Sequence, residues 1–179
     1  LLGQDYRMGQ VIAHAIEPDP AAPKFSYLAG DITTAYAAGK VEKVTRSMIT
    51  VNTGDPVRPC VLVVLDRVIS TNPLLKKTWL LHSIQEPEIR GATSFIFRNG
   101  KHYNQDLYYR GKLIVESLLP EDASVTKIGG PGREFWIEST NRNYPSTKGG
   151  AAEPGAWRIE VSPTAPSRLD TFLHVLTVM

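Results

Sequence analysis

The stretch CVLVVLDRVIS, residues 60–70, decides the fold. Its valine, leucine and isoleucine side chains fall on both period-2 faces, so it reads as a central strand covered on both sides. STNP (70–73) ends it. Other short runs alternate around it. GQVIAHAIEP (9–18) breaks at EPDPAAP. KVEKVTRSMITVN (40–52) puts Val41, Lys43, Thr45, Ser47, Ile49 and Val51 on one face and Glu42, Val44, Arg46, Met48 and Thr50 on the other. KTWLLHSIQ (77–85), ATSFIFRNG (92–100), GKLIVESLLP (111–120), EFWIEST (134–140), AWRIEVSP (156–163) and DTFLHVLTVM (170–179) complete the set. Asn99-Gly100 predicts a hairpin turn. GDITTAYAAGKVE (30–42) has room for a short helical turn at most, and 141–155 reads as a long loop. Eight to ten short strands divided by glycine and proline predict an all-β, antiparallel sandwich of eight or more strands, one domain over residues 1–179.

Composition narrows the function classes. The chain has 179 residues, 42% apolar, with 20 basic and 18 acidic side chains and a net charge of +2. That near-balance, with Lys76-Lys77 as the longest basic cluster, argues against a nucleic-acid surface. The longest apolar run, Val61 to Leu65, is too short for a membrane-spanning helix. Cys60 is the only cysteine, so an internal disulfide and a cysteine-rich zinc finger are excluded, and its place at the start of a strand suits an inert thiol. The opening LLGQDYRMGQV is polar and turn-like with no leader pattern. It reads as an interior start, so a fragment of a longer parent protein is expected.

The histidines bear on chemistry. TWLLHSIQEP (78–87) sets His82 inside an apolar run. On period 2, His82 shares a face with Leu80 and Ile84, His14 with Ile12 and Ile16, and His174 with Phe172 and Leu176. All three are expected to face inward, whereas His102 follows the hairpin turn and is expected to be wet. Asp31 follows Gly30 in LAGDITTAY. Two histidines and a carboxylate suit zinc or iron with an open position. Hydrogen-bonded core histidines and an Asx turn are the plainer reading of the same residues.

GQVIAHAIEPDPAAPKFSYLAGDITTAY, TRSMI, VLVVLDRVIS, KKTWLLHSIQEPEI, GKLIVESLLP, GGPGREFWIE, PGAWRIEVSP and DTFLHVLTV, taken in order over residues 9–179, resemble the C-terminal β-sandwich domain of heparinase II/III-like polysaccharide lyases. The resemblance implies a parent that cleaves uronic-acid polysaccharide by β-elimination, with a helical toroid domain preceding the sandwich and absent here. An isolated sandwich is then expected to be inactive. It also implies one divalent metal, most simply a structural zinc, held by His14, Asp31 and His82. The pattern departs at Ile12, where some members carry a catalytic histidine. Ile12 has no proton to exchange, which leaves Tyr27 and Tyr36 as candidate Brønsted groups or the sandwich without one.

Other candidates carry two readings each. Arg46, Asp66-Arg67 and Arg90 suit acidic sugars or strand-edge ion pairs. Trp136 and Trp157 suit sugar stacking or, more simply, core packing. GGPGRE (129–134) lacks the lysine and helix of a phosphate loop and reads as a turn. Two functional alternatives stand beside the lyase reading: a stand-alone carbohydrate-binding or structural module, and a non-haem iron enzyme built on the two histidines and the carboxylate. The partners expected are anionic polysaccharide, the helical domain of the parent, and a second copy docking through an exposed apolar face. Nucleic acid and membrane are not expected partners. For the parent, a periplasmic or secreted location is expected.

Overall fold

The computed structural model describes residues 9–101, 108–137, 140–141 and 156–179. The described residues form an antiparallel β-sandwich with no α-helix. The strands are β1 (Gln10–Glu17), β2 (Phe25–Asp31), β3 (Val41–Asn52), β4 (Cys60–Ser70), β5 (Trp79–Ser83), β6 (Glu88–Arg90), β7 (Thr93–Lys101), β8 (Tyr108–Leu119), β9 (Ser124–Gly129), β10 (Trp136–Ile137), β11 (Thr140–Asn141), β12 (Trp157–Ser162) and β13 (Leu169–Val178). A single 3-10 turn, Thr33–Ala35, follows β2. The large sheet has eight strands in the order β1-β2-β3-β4-β13-β8-β7-β6, and a three-stranded sheet, β5-β12-β9, lies on one of its faces. β10 and β11 make a separate two-stranded ribbon.

The core sits where the two sheets overlap. Val64 of β4, Val115 of β8 and Phe172 and Leu176 of β13 pack against Trp79 of β5 and Ile159 and Val161 of β12. These side chains come from alternate positions of paired strands, as a half-buried sheet requires. His174 lies among them with no exposed surface, its ring stacked on Trp79 at 3.8 Å between centroids. Its Nδ1 is hydrogen-bonded to Ser117 Oγ at 3.0 Å, while its Nε2 is buried without a partner among the described residues.

β4 is central in the large sheet, flanked by β3 and β13, but only its even-numbered face is covered. On the other face Leu65 is 40% exposed, which corrects the expectation of cover on both sides. That outer face is apolar over six strands. One register row reads Phe25, Val51, Val61, Thr177, Ile114 and Phe95, and the next reads Tyr27, Ile49, Val63 and Val175 before reaching Glu116. The following row is Ala29, Ser47, Leu65 and Leu173, and then comes Asp31, Thr45, Arg67 and Thr171.

Three further expectations need adjustment. Asn99 and Gly100 are not a turn: they pair with Arg110 and Tyr109 inside the β7–β8 ladder. The connection between β7 and β8, with His102, lies outside the described residues, as does most of 141–155. Neither His14 nor His82 is buried: His14 is on the inner face but exposed, and His82 is turned outward. β1 lies beyond the reach of the small sheet, and β5 buries the opposite set, Trp79 and Ser83 with Leu81 partly covered.

Gly129 and Gly130 let β9 end against Trp157. A Cβ on Gly130 would lie 2.7 Å from Trp157 Cζ2, and φ there is +81°. Gly54 has a similar φ of +75° but nothing within 4 Å. Gly54→Ala is therefore expected to cost about 1 kcal/mol from backbone strain alone, and Gly130→Ala about 2–4 kcal/mol because the indole must also move. Urea unfolding of the two variants measures the difference, and equal losses would remove Trp157 from the account.

Candidate functional site

The edge strand of the small sheet, β5, runs alongside the inner face of β3 and β4, and a cleft of about 480 Å³ opens between them. Val44, Val68, Trp79 and Phe172 supply its apolar floor. Tyr36, Lys40, Arg46, Lys76 and Lys77 supply its larger polar groups beside Ser70 and Thr78, and among the described residues Asp66 is the one carboxylate lining it.

Register explains why Arg46 and Asp66 meet. They are direct cross-strand partners on the inner face of β3 and β4. Arg46 Nε donates to Asp66 Oδ1 and Nη2 to Oδ2, each at 2.6 Å, a planar two-point pair. The Asp66 carboxylate raises the pKa of the Arg46 guanidinium above its ordinary value against the opposing effect of burial. Asp66 is buried while Arg46 is 40% exposed, so the cation presents to the cleft and the anion lies behind it.

Lys77 is spoken for. Its ammonium donates to Ser70 Oγ at 3.1 Å and to the Ser167 carbonyl, and it lies 2.9 Å from the buried Asp170 carboxylate. Lys40 and Lys76 have no ion-pair partner among the described residues. The backbone of Lys40 is fixed at both ends: its N–H donates to the Ala37 carbonyl at 2.8 Å and its carbonyl accepts from Thr71 N–H at 3.1 Å. Once the paired charges are set aside, the cleft keeps two uncompensated ammonium groups over an apolar floor. Two such charges over an apolar floor have the chemistry to suit an anion that also carries a flat or apolar surface.

Of the two candidate tyrosines, Tyr36 lines this cleft with Arg46, and Tyr27 stands on the opposite, outer face of the large sheet. The structure does not bring His14, Asp31 and His82 together. His14 pairs with Leu28 and shares its inner face, whereas Asp31, three residues on, points outward. His82 stands on the outer face of the small sheet opposite Arg158. The Asp31 carboxylate accepts from Lys43 Nζ at 2.5 Å and from Thr33 Oγ1 at 2.5 Å and N–H at 3.0 Å. Lys43, then Thr33, holds that carboxyl well below the usual carboxylate range. Among the described residues no group of three or more His, Cys, Asp or Glu is placed to hold a metal. In this arrangement the three residues do not fit one ion.

The remaining candidates are not among the residues that line the cleft. Arg90 pairs with Glu88 at the strand edge and lies over Phe95. Lys127 lies 5.8 Å from the centre of the half-buried Trp157 ring, and Arg133 lies 4.8 Å from that of Trp136. Arg67 is on the outer face. The sequence reading missed Lys40 and Lys76 as members of the site. Lys40 sits in a turn and Lys76 ahead of a strand, and no local spacing links them. The available signal was that both precede strands whose inner faces begin within a few residues.

Two measurements follow. Burial lowers the His174 pKa to about 4, so the folded state holds the neutral ring. The stabilisation is complete above the unfolded value of about 6.5 and is lost as pH falls toward 4, by about 3 kcal/mol in all. His174→Gln keeps an acceptor for Ser117 and should lose that part of the acid limb in unfolding experiments across this window; an unchanged limb would rule His174 out as its source. The placement of the three metal candidates predicts that added zinc leaves the melting temperature unchanged in wild type and in Asp31→Ala alike. A zinc stabilisation that vanishes in Asp31→Ala would require β1 and β5 to come together. Compared with known proteins, the chain matches no family model and no curated protein.

Proposed function

We propose that this chain is the β-sandwich part of a polysaccharide lyase of the heparinase II/III-like kind, and that its cleft binds the uronate units of an anionic polysaccharide. The observation that supports this is the cleft itself: Lys40, Lys76 and the exposed side of Arg46 at its rim, Val44, Val68 and Trp79 on its floor. A uronate has the matching chemistry, a carboxylate on a ring with one apolar face. The resemblance in the ordered strand blocks suggests the substrate class, and the charge and shape of the cleft are consistent with it. Elimination itself, with proton abstraction at C5 and departure of the 4-O-linked sugar, belongs in this reading to a larger assembly that includes a helical domain.

A second reading is a carbohydrate-binding module without catalysis. It is favoured by the lining of the cleft, which contains Tyr36 but no histidine, and by Ile12, a solvent-exposed residue with no proton to exchange.

Calorimetric titration with oligouronates tests the binding site. Wild type should bind with an affinity that falls as salt rises, because the contacts are between exposed charges. The Lys40→Glu/Lys76→Glu double variant should bind at least tenfold more weakly, about 1.4 kcal/mol, with its melting temperature nearly unchanged. Equal affinity in the two proteins would sink the cleft as the site. Ultraviolet detection should show no unsaturated uronate with this chain alone in either reading; its appearance would rule out the module and overturn the assignment of elimination to a larger assembly.

A further inference from the structure

The outer face of the eight-stranded sheet has no described element packed on it. Its apolar rows cross six strands, β2 to β7 in the order of the sheet. Six strands about 4.8 Å apart and four rows about 6.7 Å apart span roughly 770 Å², and the apolar positions make up roughly half of that footprint. A standard interface takes about 800 Å² from each partner, little more than half of it apolar, so a face of this span and composition is the right size for one.

Apart from Asp31, which is paired with Lys43 at one end, two charges interrupt that face, Arg67 on β4 and Glu116 on β8. Both are exposed, and neither has an ion-pair partner among the described residues. They are two strands and two rows apart, roughly 16 Å, which is too far to pair within one sheet. The residue midway between them in register is Leu173, close to the middle of the face.

We infer that the outer face of the large sheet is a two-fold interface between copies of this chain, centred on Leu173, in which Arg67 meets the partner subunit's Glu116 twice. A two-fold interface is isologous, so the surface must complement itself. A two-fold axis lying between the faces over Leu173, at right angles to the line from Arg67 to Glu116, exchanges those two positions. It turns the strands of the two sheets across one another by roughly 70°, close to the orthogonal class of sheet packing. The face is nearly as wide as it is long, so that rotation costs little overlap. Leu65, beside Leu173 and 40% exposed, is then buried in the centre.

Sedimentation analysis of the whole chain, from low micromolar toward millimolar concentration, tests the interface. Wild type should dimerise, and Leu65→Glu should be monomeric throughout with its circular dichroism retained. Arg67→Glu and Glu116→Arg should each raise the dimer dissociation constant roughly tenfold, and the two together should return it to near wild type. These two positions are exposed, so the charge exchange carries the test even if Leu65→Glu fails to fold. A wild-type monomer at every concentration would overturn the proposal, as would a dimer indifferent to Leu65→Glu. Failure of the double charge variant to recover would overturn the pairing of Arg67 with Glu116.

Discussion

Three strands cover eight, and most of the molecule follows from that mismatch. Strands lie about 4.8 Å apart, so the small sheet shields roughly 14 Å of a large sheet about 38 Å wide. The dry core is confined to the overlap, where Trp79, Ile159 and Val161 meet Val64, Val115, Phe172 and Leu176. Beyond it, β1 and β2 extend as a wing with Val11, Ile12, Ile16 and Leu28 in solvent. The step between overlap and wing is where the cleft forms. Its floor is the last covered part of the inner face, and its rim is made by the segments that lead into β3 and β5.

The same step explains the polar line across the inner face. Arg46, Asp66 and His174 occupy inward positions of β3, β4 and β13. Arg46 lies near the edge of the overlap, where a guanidinium keeps contact with water while its carboxylate partner is buried. His174 lies at the centre, where desolvation outweighs the nearby Asp66 charge and keeps the ring neutral. One sheet face thus carries a charged pair where solvent reaches and a neutral, half-satisfied imidazole where it does not, as the cost of burying charge dictates. The resulting separation keeps the exposed side of the guanidinium at the edge and leaves the imidazole position in the core neutral.

The strands were legible wherever alternation or a continuous apolar run extended for six or more residues, as in β1, β3, β4, β8, β12 and β13. β2, β6 and β9 escaped because FSYLAGD, EIR and SVTKIG are short or contain small residues that blur the period. Period 2 also assigns residues to faces without saying which face is inside. In WLLHS both sets carry a leucine, and the indole of Trp79, the largest apolar surface available, decides in favour of Trp79 and Leu81. His82 is carried outward as a consequence. In CVLVVLDRVIS both faces are apolar, but the fold uses only one of them for its core, so the second face is a property of what else can pack there.

The site was legible in its residue types and not in its assembly. Arg46 and Asp66 are twenty residues apart, and only the β3–β4 register makes them neighbours. Lys40 and Lys76 come closer still to being unreadable, since each lies in a connection whose path depends on how β3, β4 and β5 stack. Asp31 illustrates the converse. Its position after Gly30 fits a metal ligand or an Asx turn equally well as a pattern, and the deciding partner is Lys43, brought alongside by the β2–β3 pairing. An aspartate already neutralised by an ammonium at 2.5 Å offers a cation less than its residue type promises. The chemistry of this domain therefore resides less in any one motif than in the order in which eight strands are laid beside three.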